Sequence, residues 1–204
     1  MPQSTALTRI LVAGASGVIG RRLLPELLAR GYQVLGLTRS PANARAIEQL
    51  GANALVCDVY DAQALGAALD GYAPEIVFHL LTDLPDDLER IGDFASANNR
   101  MRTEGTDNLL GASARAGARR IIAESVAWDL AGPGARAVSH VEEAVLAMNG
   151  TVLRYGQLWG EGTFHRIRPK SGPTLEVELA GMRTVEHLDS PTGIYNLVDG
   201  TFKV

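Results

Sequence analysis

The clearest chemical signal in this sequence is the run Gly14-Ala15-Ser16-Gly17-Val18-Ile19-Gly20. It follows an apolar stretch and opens a helical pattern. Glycine returns at every third place, and each has a physical use. One allows a tight reversal, another lets the backbone approach a pyrophosphate, and the last lets the helix pack close to the strand. The first N–H groups of the helix then face the phosphates with a partial positive charge. The segment predicts a dinucleotide site held by Gly14, Ser16, Gly17, Val18, Ile19 and Gly20.

A second signal sits where the next apolar strand ends. An acidic residue there would accept hydrogen bonds from an adenosine ribose and repel a 2′-phosphate. The chain instead has Thr38-Arg39-Ser40, and no acid follows until Glu48. Arg39 offers a forked donor set that matches a 2′-phosphate, with Arg21 in the first helical turn as a second cation. The expected cofactor is therefore NADP, with NAD the weaker alternative. Among the histidines, His140 offers an imidazole, the side chain suited to proton transfer near neutrality, and is a candidate catalytic residue. His79 is central in an apolar strand and reads as a hydrogen-bonded core residue. His165 and His187 have no metal-like partners at useful spacing. The single cysteine, Cys57, excludes an intrachain disulfide and a cysteine-based zinc site, and reads as a buried strand thiol. No metal is expected.

The elements that position these residues alternate along the chain. Strands are predicted over residues 9–13, 33–38, 54–57, 76–81, 120–125 and 151–155. Helices are predicted over 18–30, 41–50, 61–69, 94–116 and 139–148. Gly31, Gly51 and Gly117 stop three of the helices, and Pro25 predicts a local kink in the first. Alternation of this kind gives an α/β fold with a doubly wound parallel sheet covered on both faces. After residue 156 the pattern decays into Gly- and Pro-rich segments, with two strands predicted at 175–179 and 194–198 and no long helix.

Composition narrows the function classes. The chain has 204 residues, 46% hydrophobic and 21% charged, which supports one domain with a substantial core and excludes a disordered chain. A net charge of −4, with no single-sign run, favours neither nucleic acid nor an anionic membrane as partner. Residues 1–6 lack a basic leader pattern and no long apolar run occurs, so a soluble cytoplasmic protein is expected.

Several stretches together resemble the short-chain dehydrogenase/reductase superfamily, in its extended and atypical branch of NAD-dependent epimerase/dehydratase-like proteins. The glycine turn is one. Cys57-Asp58-Val59-Tyr60-Asp61 is similar to the family's segment after the third strand, whose Asp meets the adenine. Val77-Phe78-His79-Leu80-Leu81 is similar to the fourth-strand segment that lines the cofactor. Gly105-Thr106-Asp107-Asn108-Leu109-Leu110 resembles the motif of the long helix. Leu153-Arg154-Tyr155-Gly156-Gln157-Leu158-Trp159-Gly160 resembles the segment after the sixth strand, with Trp159 in place of tyrosine. The resemblance implies a Rossmann-like sheet and adds Asp58, Val59, Leu80 and Leu81 to the cofactor-binding residues. It implies an NAD(P)-binding domain over residues 1–156 and a small irregular C-terminal lobe over 157–204, an abbreviated substrate side packed on the same domain.

The resemblance also implies a catalytic set that this chain only partly holds. In the family a Tyr, with a Lys four places later, moves the proton, and a Ser at the end of the fifth strand completes the set. Ser125 supplies the serine. No tyrosine here is followed by lysine at the fourth place, and the only lysines are Lys170 and Lys203. The stretch 132–139, where the pair belongs by spacing, has neither residue. Ser125 and His140 are thus the candidate catalytic residues, with Trp128 as a candidate pocket wall and Glu142 and Glu143 expected on a solvated helix face. The resulting expectation is an NAD(P)-binding oxidoreductase, or epimerase/dehydratase-like protein, acting on a small polar metabolite through non-standard residues. A non-catalytic NADP-binding sensor or partner subunit is one alternative. A cofactor-independent cyclase or isomerase is another. Apolar surface left open by a short tail makes a homodimer a further expectation.

Overall fold

In the computed structural model the described residues are 7–85 and 87–200, so the leader reading at 1–6 and Lys203 lie outside them. Its strands are β1 (Arg9–Ala13), β2 (Gln33–Thr38), β3 (Asn53–Val56), β4 (Ile76–His79), β5 (Arg120–Val126), β6 (Thr151–Tyr155), β7 (Gln157–Trp159), β8 (Thr174–Glu176) and β9 (Gly193–Leu197). Seven form one parallel sheet in the order β3-β2-β1-β4-β5-β6-β9, while β7 and β8 pair separately. The helices are α1 (Gly20–Ala29), α2 (Pro41–Gln49), α3 (Ala62–Tyr72), α4 (Ile91–Arg100), α5 (Thr106–Arg115), α6 (Gly132–Ala147) and α7 (Val177–Val185).

Side chains alternate across a strand, and here both faces are buried, so β1 is apolar almost throughout. Ile10 and Val12 belong to the core layer of Leu23, Leu24 and Leu27 from α1. Leu11 and Ala13 belong to the opposite layer, with Leu65 and Leu69 of α3, Leu109 of α5, and Val141 and Val145 of α6. The sequence thus folds as the expected Rossmann-like doubly wound sheet. Asp61 caps α3 through the Ala64 N–H, and α1 runs unbroken through Pro25.

Three local expectations are corrected. The long helix predicted at 94–116 is divided into α4, a π turn at Met101–Gly105, and α5. Such a turn inserts one residue into the helical ladder. Helix α6 begins seven residues earlier than expected, because Pro133 fits the first turn, where a missing N–H costs nothing. Cys57 lies just beyond β3 and is half-buried rather than enclosed in a strand; burial first, then the charges of Asp61 and Asp58, raises its thiol pKa.

The largest difference is at the C-terminal side. The predicted strand at 175–179 ends after Glu176, and α7 follows. Val177, Ala180, Gly181, Thr184 and Val185 are its buried face, a spacing of three, four, seven and eight that belongs to a helix. Close packing decides the matter. A Cβ on Gly181 would stand 2.1 Å from the Arg22 carbonyl oxygen, so only glycine lets α7 lie directly on α1. Strand β9 pairs with β6 and completes the main sheet, so a boundary at residue 156 separates it from the sheet it belongs to.

Candidate functional site

The strand order reverses between β1 and β4, since β2 continues the sheet on one side and β5 on the other. Crevices for ligands open at the carboxyl ends of the strands at such a point. The glycine turn crosses it. Gly14 has φ +90°, and a Cβ there would stand 2.4 Å from the Leu80 carbonyl oxygen. A Cβ on Gly20 would stand equally close to the Gly14 carbonyl oxygen. The turn closes with Gly17 N–H donating to the Gly14 carbonyl oxygen at 3.0 Å. Beyond it, α1 has no side-chain cap and no acid in its first turn. The Arg21, Arg22 and Leu23 N–H groups already donate to the Gly17 and Ile19 carbonyl oxygens, so the N–H groups offered to an anion are those of Val18, Ile19 and Gly20. Ser16 and Val18 are half-buried and Gly17 is exposed, whereas the Ile19 side chain belongs to the core and leaves only its backbone to the turn.

The opposite wall follows β4. Leu80 N–H donates to the Ala13 carbonyl oxygen at 2.8 Å, and Leu81 N–H to His79 Nδ1 at 3.3 Å. Because Nδ1 accepts, the neutral His79 ring carries its hydrogen on Nε2, which donates to Thr106 Oγ1 at 2.8 Å. The Thr106 hydroxyl passes its own hydrogen to the Arg102 carbonyl oxygen inside the π turn. Burial, with the Arg102 charge adding to it, lowers the His79 pKa to about 3. His79 is the hydrogen-bonded core histidine the sequence suggested, and it fixes the backbone that carries Leu80 and Leu81.

At the end of β3, Asp58 is exposed and accepts from Tyr60 N–H, while Val59 is buried. Asn108 Nδ2 donates to the Val59 carbonyl oxygen at 3.1 Å. A Cβ on Gly105 would meet Met101 Sδ and the Val59 side chain. The long-helix motif thus braces the loop bearing Asp58 and Val59. At the end of β2, Arg39 donates from both terminal nitrogens to Asp83, at 2.9 and 3.3 Å. Arg21 is exposed with its guanidinium beside Gly162.

The carboxyl end of β5 holds a different arrangement. Ser125 is fully buried and its hydroxyl donates to Glu142 Oε1 at 2.6 Å. Arg154 Nε and Nη2 donate to the two Glu142 oxygens at 2.7 and 2.5 Å. Burial raises the Glu142 pKa, but hydrogen bonds from Arg154 and Ser125 and the Arg154 charge outweigh it, so the net shift is downward. The expectation of a solvated Glu142 is corrected: it is 7% exposed, whereas Glu143 is on the surface. The fold does not bring Ser125 and His140 together. His140 lies two residues from Glu142, about 200° round the helix. There it meets Asp107 of α5, Nε2 to Oδ1 at 2.7 Å. The two candidate catalytic residues do not share a site.

A cavity of about 200 Å³ lies beside this cluster, lined by Val126–Leu130 together with Ala135, Val138, Ser139, Glu142 and Arg154. Trp128 forms part of its wall; Ser125 does not. Sequence reasoning missed Asp83 and the buried Glu124–Arg102 pair, at 3.2 Å with burial raising the Glu124 pKa. An acid inside the apolar strand 120–125 was the available signal for the latter. Among the described residues, no three His, Cys, Asp or Glu side chains gather as a metal site, and no helix is long and apolar enough to cross a membrane.

Residues 10–134 match the NAD dependent epimerase/dehydratase family. The chain belongs to that family. This epimerase/dehydratase-family chain is 36% identical to a 3-diazoavenalumate denitrifying reductase of Streptomyces sp, over 76% of its own length and 58% of the reductase. It is also 36% identical to cinnamoyl-CoA reductase 1 of Oryza sativa subsp. japonica, over 55% of its length and 32% of that enzyme. The chain therefore spans only part of each of these relatives. Among solved structures, UDP-glucose 4-epimerase of Thermus thermophilus in complex with NAD superposes with TM-score 0.78 at 20% identity, covering 95% of this chain and 78% of the other. An oxidoreductase of the short-chain dehydrogenase/reductase family from Burkholderia thailandensis gives 0.77 at 17%, covering 95% and 92%. These likenesses show the family's fold in this chain.

Proposed function

We propose that the chain binds NADP(H) across the carboxyl ends of β1, β2 and β4 and transfers hydride as an oxidoreductase on a small polar metabolite. The carrying observation is the glycine turn that delivers the uncapped start of α1 into the switch-point crevice. In this reading Gly14, Ser16, Gly17, Val18, Ile19 and Gly20 hold the pyrophosphate through backbone and hydroxyl donors. Asp58 and Val59 flank the adenine, Arg39 serves the 2′-phosphate, and Leu80 and Leu81 wall the path toward the nicotinamide. When bound, the cofactor supplies the hydride. The chain's own residues orient it and shape the cavity at Trp128 that receives the acceptor.

A second reading, a non-catalytic NADP-binding sensor, is favoured by one observation. Ser125 is enclosed with its hydroxyl given to Glu142, and the start of α6 carries neither Tyr nor Lys. One experiment separates the two. NADPH binding is titrated by fluorescence, and nicotinamide absorbance is then followed with a panel of acceptors. The panel holds carbonyl compounds, a cinnamoyl thioester and an aromatic diazo acid, the last two chosen from the names of the relatives. Oxidation with any acceptor supports the enzyme, binding without oxidation supports the sensor, and no binding removes both.

A further inference from the structure

Arg39 and Asp83 are 44 residues apart and follow β2 and β4, the two strands that flank β1, yet they form a two-pronged ion pair. Their surroundings differ. The Arg39 side chain is 61% exposed and the Asp83 side chain 13%. The Asp83 backbone is anchored, with its N–H donating to Asn98 Oδ1 at 3.0 Å. Upstream, Leu80 and Leu81 are fixed to Ala13 and His79. The carboxylate is therefore the stationary partner and the guanidinium the movable one. The same small region holds Asp58, and the hydrogen bond that Arg39 donates to Asp83, followed by the charges of Asp83, Asp58 and Tyr60, raises the Arg39 pKa despite some burial.

We infer that Asp83 sets the discrimination between phosphorylated and unphosphorylated adenosine riboses by competing for the Arg39 guanidinium. The inference rests on the dinucleotide reading above and extends it to a residue outside the glycine turn and outside the end of β2. A carboxylate and a 2′-phosphate both call on the flat fork of an arginine. Two of the five guanidinium N–H donors already serve Asp83, so a 2′-phosphate must share the fork or displace the acid. Asp83 also adds a negative charge beside the incoming dianion. An unphosphorylated ribose meets neither obstacle. Asp83 therefore draws the affinities for NADP and NAD together, while Arg39 alone would spread them apart.

The test uses calorimetry with four probes, NADP⁺, NAD⁺, 2′,5′-ADP and 5′-AMP, on the whole chain. The probes are compared for the unaltered protein, Asp83→Asn, Arg39→Ala and the double variant, each checked by a thermal melt. Asp83→Asn should raise the NADP⁺-to-NAD⁺ affinity ratio about tenfold, the effect of freeing one charge-assisted hydrogen bond. The 2′,5′-ADP-to-5′-AMP ratio should rise in parallel. Arg39→Ala should bring both ratios to near one or below, and Asp83→Asn in that background should move them less than twofold. A ratio unmoved in Asp83→Asn, or moved equally without Arg39, overturns the inference while leaving the dinucleotide reading intact. Failure of the unaltered protein to bind any of the four overturns both. Should Asp83→Asn melt early, Asp83→Ser provides the same comparison.

Discussion

The Ser125 hydroxyl and the Glu142 carboxylate meet at 2.6 Å beneath the end of β5, and Arg154 closes the other side of that carboxylate. The candidate serine thus has its hydroxyl hydrogen given to a buried acid. Removing the acid strands an arginine that is only partly exposed, so Glu142→Ala should cost about 2–3 kcal/mol of stability. Ser125→Ala should cost about 1 kcal/mol, the net worth of one hydrogen bond, and leave NADPH affinity unchanged. Urea midpoints at constant slope give the first two numbers, and a fluorescence titration gives the third. The lowered Glu142 pKa adds a sign: its contribution is present above the ordinary carboxylate range and is lost as pH falls through the folded value.

His79 makes a second pH prediction. Its folded pKa, about 3, lies below the ordinary 6.5, so the unfolded chain binds the extra proton first. Stability from this group is complete above pH 6.5 and declines as pH falls from there toward 3, by at most about 1.4 kcal/mol per unit. Unfolding free energies measured from pH 7.5 to 5 should therefore slope downward, and His79→Gln should flatten the slope. Equal slopes in both proteins would rule this out.

The two crowded glycines should behave alike. Gly14→Ala and Gly20→Ala each place a Cβ 2.4 Å from a backbone oxygen that has little room to move. Each should lose at least about 1–3 kcal/mol of stability and abolish NADPH binding. Gly17 is exposed and its Cβ would stand 3.2 Å from the Gly14 carbonyl oxygen, so Gly17→Ala should melt near the parent temperature but bind more weakly. Melting curves with and without NADPH distinguish the three.

His140 faces α5 and pairs with an exposed Asp107. His140→Ala should change stability by less than about 1 kcal/mol, as surface pairs do, and leave any measured hydride transfer within twofold. A loss of turnover greater than tenfold would restore His140 to the reaction.

Gly181→Ala tests the docking of α7. The added methyl would meet the Arg22 carbonyl, and the cost should be about 1–3 kcal/mol with an earlier melt. A neutral substitution would mean that α7 does not depend on close approach to α1.

Much of the fold is legible in the order of residues alone. The strands at 9–13, 33–38 and 151–155 coincide with β1, β2 and β6, because fully buried parallel strands are nearly continuous apolar runs that leave little room for another reading. The glycine turn was legible for the same local reason. Spacing, the preceding strand and the following helix are all contiguous in the chain. By contrast the first three residues of α7 read as part of a strand over 175–179, where Leu175, Val177 and Leu179 alternate with glutamates, and only contact with α1 favours the helical face.

What the sequence determined by itself was the wound sheet, the phosphate-binding turn, and the want of a Tyr-Lys pair, all properties of residue type and short-range order. What only the tertiary structure decided were the partnerships. Arg39 is held by Asp83 across 44 residues, Ser125 by Glu142 across 17, and His140 is turned away from both toward Asp107. Such pairings depend on which strand ends and helix faces the sheet order brings together. No local pattern of hydrophobicity or charge encodes that, because the same arginine, serine or histidine has the same intrinsic chemistry whichever neighbour it meets.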